Sequence, residues 1–222
     1  MIRQALPYAI GLMSILYIFV IPSEPEGVKL VFKLIPMALL LAYACLLCLP
    51  SRQPQHVLLL LGLFFCMCGD GLMRWFIAGL SAFLVGHLFY ATSFLRRLRF
   101  SWLRAASILP IGLFAGYMGQ RLVQALQDSG QPELIAPVIV YVTAISVMAW
   151  SAIMTANLYA AAGSLLFLAS DGILAWNMFI SGISRSDIWI MTTYYAAQFL
   201  IASSLRTPPK RQAEAAPQVP LL

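Results

Sequence analysis

Charge is what this 222-residue sequence has least of: 10% of it is Asp, Glu, Lys or Arg, against 61% hydrophobic. A soluble domain is nearer a quarter charged and half apolar. The shortage excludes an ordinary water-soluble fold, because a globule of this length cannot cover so much apolar surface. Histidine occurs twice and cysteine four times. The cysteines fall as Cys45/Cys48 and Cys66/Cys68 inside apolar runs, and only His56 and His87 could complete a site with them. A structural zinc needs four convergent N or S ligands, so no metal and no cofactor are expected, and the thiols read as free and buried. The net charge of +6 is spread over short loops. It fits contact with anionic headgroups of a lipid bilayer, not nucleic-acid binding. The string Arg96-Arg97-Leu98-Arg99 is the candidate for that contact, or else a plain stop-transfer flank.

What is present is a series of long apolar runs. A membrane span needs about 20 apolar residues, and eight are placed at 4–21, 29–49, 56–75, 78–95, 104–122, 134–153, 158–177 and 188–205. The fold class is therefore all-α, a polytopic integral membrane protein with a single transmembrane domain over 1–206. The segment 207–222, rich in Pro, Ala and Gln, reads as a disordered tail. The first run follows only Arg3 and lacks a small-residue cleavage site, so it is expected to be retained. Eight spans put both termini on one side. That side collects Arg3, Arg52, Arg96, Arg97, Arg99, Arg104, Arg206, Lys210 and Arg211, whereas the other has Lys29, Lys33, Arg74, Arg121 and Arg185. Basic loops stay inside, so the termini are expected in the cytoplasm. The membrane would be the endoplasmic reticulum in a eukaryote and the cytoplasmic membrane in a bacterium.

Sliding the chain by about 101 residues aligns Ile10-Gly11-Leu12 with Ile111-Gly112-Leu113, Pro36 with Pro137, Gly62 with Gly163, Asp70-Gly71 with Asp171-Gly172, and Trp75 with Trp176. Four spans per half make this a parallel 4+4 repeat, about 1–100 and 102–206, with its axis along the membrane normal.

Of the acidic residues, only Asp70 and Asp171 fall within spans. A carboxylate in hydrocarbon is costly and is a functional candidate by default. Each lies about 13 residues, or roughly 20 Å, from the start of its span. The competing reading is that each is an interhelical hydrogen bond that glues helices together. Arg74 follows Asp70 by four residues, on one helical face, whereas Ala175 holds the matching place after Asp171. That inequality suggests Asp70 as the ionised partner and Asp171 as the protonated one, a division that separates base from acid. Arg74 snorkelling to the interface stays open. His87 and Tyr90 share one helical face, Tyr194 and Gln198 another, and Tyr195 lies beside them. All five are expected to line a cavity; the alternatives are an aromatic belt for the tyrosines and an interhelical bond for His87. Lys33, three residues before Pro36, meets a phosphate or snorkels outward.

The strings Phe32-Lys33-Leu34-Ile35-Pro36, Gly69-Asp70, His87-Leu88-Phe89-Tyr90, Leu166-Phe167-Leu168-Ala169-Ser170-Asp171 and Thr192-Thr193-Tyr194-Tyr195-Ala196-Ala197-Gln198, in this order and spacing, resemble the lysoplasmalogenase family, also called YhhN-like. The likeness runs from about residue 5 to 206. It implies a membrane ether hydrolase that splits the vinyl ether of lysoplasmalogens to a fatty aldehyde and glycerophosphoethanolamine or glycerophosphocholine. The family's proposed catalytic acids map to Asp70 and Asp171.

That chemistry suits the residues. Vinyl ethers hydrolyse by protonation of the outer alkene carbon, capture of the oxocarbenium ion by water and collapse of the hemiacetal, which asks for one acid and one carboxylate. Lys33, Arg74, His87, Tyr90, Tyr194, Tyr195 and Gln198 are the expected substrate-binding set. A small proton-coupled transporter using the same two aspartates is the alternative from another class. Head-group preference, oligomeric state and which aspartate is the acid are left open by the sequence.

Overall fold

The computed structural model describes residues 2–22, 24–49 and 53–206; the expected tail at 207–222 lies outside them. In chain order the helices are α1 (Ile2–Phe19), α2 (Glu26–Cys48), α3 (Pro54–Leu72), α4 (Phe76–Leu95), the short α5 (Trp102–Ala105), α6 (Ile108–Asp128), α7 (Ile135–Met154), α8 (Leu158–Phe179) and α9 (Ser186–Ser203). Local chemistry sets their starts. Proline stands at the first position of α3, where its missing N–H costs nothing. Glu26 sits in the first turn of α2, the end of the helix dipole that favours an acid. At α8 the Asn157 side chain accepts from the Ala160 N–H at 3.2 Å, satisfying one orphan donor.

Among the described residues, five helical stretches are long and apolar enough to cross a membrane: Glu26–Cys48, Pro54–Leu72, Phe76–Leu95, Pro132–Met154 and Leu158–Phe179. In α9 the apolar run is diluted by threonines, two tyrosines and Gln198, and the last turns of α6 carry Arg121, Gln124, Gln127 and Asp128. The outer surface is apolar in the manner of a lipid-facing bundle: Leu12, Val31, Leu109, Leu113 and Trp189 are each more than half exposed. A soluble protein scatters such residues singly.

The bundle is paired. Helix α3 packs chiefly on α4 and α8 on α9; α4 meets α7, α2 meets α3 and α9, α1 lies on α2, and α6 lies on α7 and α8. Small residues permit the closest approaches. A side chain at Gly62 would collide with the Tyr90 ring, and one at Gly163 would stand 2.9 Å from the Ala197 carbonyl oxygen and the Ile201 nitrogen.

At one end of the bundle α1, α3, α6 and α8 finish while α2, α4, α7 and α9 begin. The opposite end is tied by Arg99 N–H to the Met154 carbonyl at 2.8 Å and by the Asn157 amide to the Ser204 carbonyl at 3.2 Å.

Three expectations need correction. The third helix stops at Leu72 and not at 75, because Met73 and Arg74 turn the chain into α4. The segment expected to span at 104–122 is split: α5 is a single turn, and α6 starts later and runs on to Asp128. All four thiols are free, but Cys45 faces outward and is not buried.

Candidate active site

Helices α3 and α8 each bring an aspartate to one cavity of about 450 Å³, which lies among the helix termini of the end where α2, α4, α7 and α9 begin. Its lining mixes two chemistries. Lys29 and Lys33 of α2, Asp70 of α3, and Asp187 and Tyr194 of α9 are polar; Phe114, Met118 and Leu122 of α6 and Val138, Val142 and Ile145 of α7 are apolar.

Asp70 is buried. Its Oδ1 pairs with the Lys33 ammonium at 3.0 Å, and its Oδ2 accepts from the Tyr194 hydroxyl at 2.6 Å. Such a buried charge persists only when paired and hydrogen-bonded, and here both carboxylate oxygens are engaged. Tyr195 supports the arrangement by donating to the Lys33 carbonyl at 2.9 Å, which ties α9 to the turn of α2 that carries the ammonium.

Asp171 is half-buried, with its free surface on the cavity. No cation pairs with it among the described ion pairs. Its partner is the hydroxyl of Tyr141 on α7, which donates to Oδ2. The neighbouring Gly172 leaves room for Phe114, whose ring tip a side chain there would meet at 3.2 Å.

The expected binding residues separate into three groups. Lys33, Asp70, Asp171 and Tyr194 line the cavity. His87, Tyr90, Tyr195 and Gln198 lie behind it as buried support. Tyr90 donates to the Gln198 side-chain oxygen at 2.6 Å, and the His87 ring packs edge-on against Tyr141 at 5.2 Å and Phe167 at 4.7 Å. Arg74 belongs to neither group. Because α3 ends at Leu72, Arg74 is not carried on the face of Asp70; it is exposed and pairs with Glu26 at 3.5 Å. The inequality between the two aspartates is therefore real in the structure, but Lys33 creates it.

Tyr141 was not singled out from sequence. Its signal was a lone hydroxyl-bearing ring in the run Val138-Ile139-Val140-Tyr141-Val142. The partnership of Lys33 with Asp70, on successive helices and 37 residues apart in sequence, had no local signal.

Comparison with known proteins adds the following. The YhhN family model matches residues 28–205. Lysoplasmalogenase TMEM86B of Homo sapiens is 36% identical over 163 residues, covering 71% of this chain and 68% of that protein. Lysoplasmalogenase TMEM86B of Rattus norvegicus is 28% identical over 211 residues, 93% and 85% of the two chains. Lysoplasmalogenase TMEM86A of Bos taurus is 31% identical over 205 residues, 82% and 80% of the two chains. No solved structure matches.

Proposed function

The chain belongs to the YhhN family, and from that premise we propose that it is a membrane lysoplasmalogenase working with two aspartates. The single observation that carries the reading is that Asp70 and Asp171, from different helices, border one cavity lined by both charged and apolar side chains. A lipid with one chain and a polar head has the same mixed character.

Asp171, held by Tyr141 and without a paired cation, delivers a proton to the outer carbon of the vinyl ether. The C=C electron pair takes that proton, and positive charge develops on the ether carbon and oxygen. Asp70, kept as a carboxylate by Lys33, stabilises the oxocarbenium ion and takes a proton from the water that attacks it. The hemiacetal then breaks its C–O bond: Asp70 passes its proton to the departing glycerol oxygen while Asp171 takes the proton of the hemiacetal hydroxyl, which releases fatty aldehyde and the glycerol alcohol and returns both aspartates to their starting states. Division of labour between two carboxyls in unlike surroundings is a common solution for acid–base chemistry at neutral pH.

We read all eight long helices as spans, arranged as a 4+4 repeat. In support, α3 packs on α4 as α8 packs on α9, α4 meets α7 as α9 meets α2, and the matched Gly62 and Gly163 both mark close approaches. Counting basic loops puts the termini in the cytoplasm and the cavity end on the far side.

The test is aldehyde release from lysoplasmenylethanolamine by purified, detergent-solubilised protein. Asp70→Asn and Asp171→Asn are each expected to lower the rate by at least about 100-fold, the usual scale for loss of a positioned acid or base, with an unchanged size-exclusion profile. A folded variant with near-wild-type turnover would remove that aspartate from the mechanism. A proton-coupled carrier built on the same acids would release no aldehyde without a membrane gradient.

A further inference from the structure

Asp171 engages one of its two carboxyl oxygens and leaves the other free. Oδ2 accepts from the Tyr141 hydroxyl. Oδ1 has no hydrogen-bond or ion-pair partner among the described residues and is not enclosed, in keeping with a free surface that lies on the cavity. At Asp70, by contrast, Lys33 holds Oδ1 and Tyr194 holds Oδ2. We propose that Tyr141 is the positioning residue of the acid: its bond to Oδ2 confines the acidic proton to Oδ1, the oxygen open to the cavity, and steadies the carboxylate left when that proton departs. That Asp171 is the acid rests on the vinyl-ether reading above; the bond that orients it rests on the geometry.

A phenol has one proton to give, and where it goes decides where the proton of the acid can sit. Among the described residues the Tyr141 hydroxyl makes no second hydrogen bond. Its neighbours on α7 along the cavity are Val138, Val142 and Ile145, whose side chains accept nothing. If the acid instead donated to the phenol from Oδ2, the phenol's own proton would be left without an acceptor, and a donor stranded in that way costs more than a single bond returns. The favoured arrangement is therefore phenol to Oδ2, with the carboxyl proton on Oδ1. Oδ2 is then the carbonyl oxygen of the neutral acid.

The tyrosine is itself braced. The His87 ring on α4 meets it edge-on, with centroids 5.2 Å apart and planes at 78°, and Phe167 backs His87 at 4.7 Å. Neither His87 nitrogen has a hydrogen-bond partner among the described residues, so what Tyr141 receives from that ring is packing. Phe167 lies one turn before Asp171 on α8, and the brace and the acid it serves therefore share a helix.

During protonation of the alkene the Oδ1–H bond breaks, its electron pair stays on Oδ1, and the proton joins the outer carbon. Negative charge then spreads over both carboxylate oxygens, and a hydroxyl already aimed at Oδ2 meets it without reorganisation. A hydrogen bond to an ionised acceptor is stronger than one to a neutral acceptor, so this contact favours the transition state over the bound substrate.

The experiment is infrared spectroscopy of the purified chain in detergent, in H2O and D2O, beside steady-state kinetics. The protonated carboxyl of Asp171 is the C=O stretching band that Asp171→Asn abolishes. A hydrogen bond to a carbonyl oxygen lowers its stretching frequency, so Tyr141→Phe, which keeps the ring and its packing, is expected to move that band to higher wavenumber. The same variant should lower kcat at least about tenfold and keep KM within about twofold, as loss of a contact made in the transition state does. Tyr194→Phe, beside the ion-paired Asp70, should leave the band in place. A band that Tyr141→Phe does not move, that Tyr194→Phe moves equally, or that folded wild-type protein lacks at neutral pH would overturn the proposal. Aldehyde release by that same wild-type protein would leave the hydrolytic reading intact. If the band shifts as expected and wild-type protein releases no aldehyde from lysoplasmenylethanolamine, the hydrolytic reading fails and the placement of the proton on Oδ1 stands.

Discussion

At the scale of single residues, the Lys33–Asp70 pair decides the asymmetry of the site. Removing one partner of a buried ion pair leaves an uncompensated charge and costs about 3–5 kcal/mol, whereas replacing both is often close to neutral. Lys33 keeps 19% of its side-chain surface exposed, so the lower end of that range applies. Lys33→Met is therefore expected to lower both the thermal midpoint in detergent and turnover. Lys33→Met/Asp70→Asn should restore most of the midpoint and none of the activity. Independent, additive losses in the double variant would show that the two groups do not act as a pair. Arg74 gives the opposite expectation. Exposed and paired with Glu26 outside the site, it should tolerate Arg74→Gln with an unchanged pH–rate profile; a shifted profile would place Arg74 back beside Asp70. The two carboxylates were legible because an acid in an apolar run has few bland explanations. Lys33 as the partner was not, because residues 33 and 70 meet only through the packing of α2 on α3, and helical periodicity offers only neighbours three or four residues away on the same helix.

At the scale of elements, the α8–α9 interface depends on the absence of a side chain. A Cβ at Gly163 would press on backbone atoms of α9 at 2.9 Å, and backbone cannot rotate away. Gly163→Ala should then destabilise the protein by about 1–3 kcal/mol, as overpacking does. Gly116 on α6 has nothing within 4 Å of the same position. Gly116→Ala should be neutral or stabilising by up to about 1 kcal/mol from helix propensity. A ranking of thermal midpoints in the reverse order would refute this account of the interface. Periodicity placed most of the long helices within a few residues. It failed at the end of α3, where the apolar run continues past the turn into Trp75 and Phe76, and at the end of α6, where the helix outlasts the apolar run through Gln124, Gln127 and Asp128. Hydropathy measures what a side chain prefers, not where the backbone bends. His87, Tyr90, Tyr195 and Gln198 were read as cavity-facing on the same basis. A buried polar face is equally served by another helix, and that is where Tyr90 finds Gln198.

For the molecule as a whole, the sequence shows a membrane protein through its shortage of charge, and the cavity shows how little of a lipid the protein needs to enclose. Its volume is about 450 Å³. A water molecule takes about 30 Å³ of liquid, and a methylene is of similar size, so the space holds roughly fifteen such units. A lysophospholipid with a long chain has about twice that many heavy atoms. Rates on lysoplasmalogens of increasing chain length are therefore expected to rise until the apolar wall is covered and then to level off. A sharp optimum at one length would mean that the far end of the chain is measured inside the protein. The small cavity also governs how the products part. With the substrate seated as proposed, the outer half of the chain would rest among bilayer lipids when the C–O bond breaks, so the aldehyde would need only to slip outward along its own axis while the glycerol fragment left to water past the charged end of the cavity. Each product would thus depart into the phase that dissolves it, with no opening of the bundle required between turnovers.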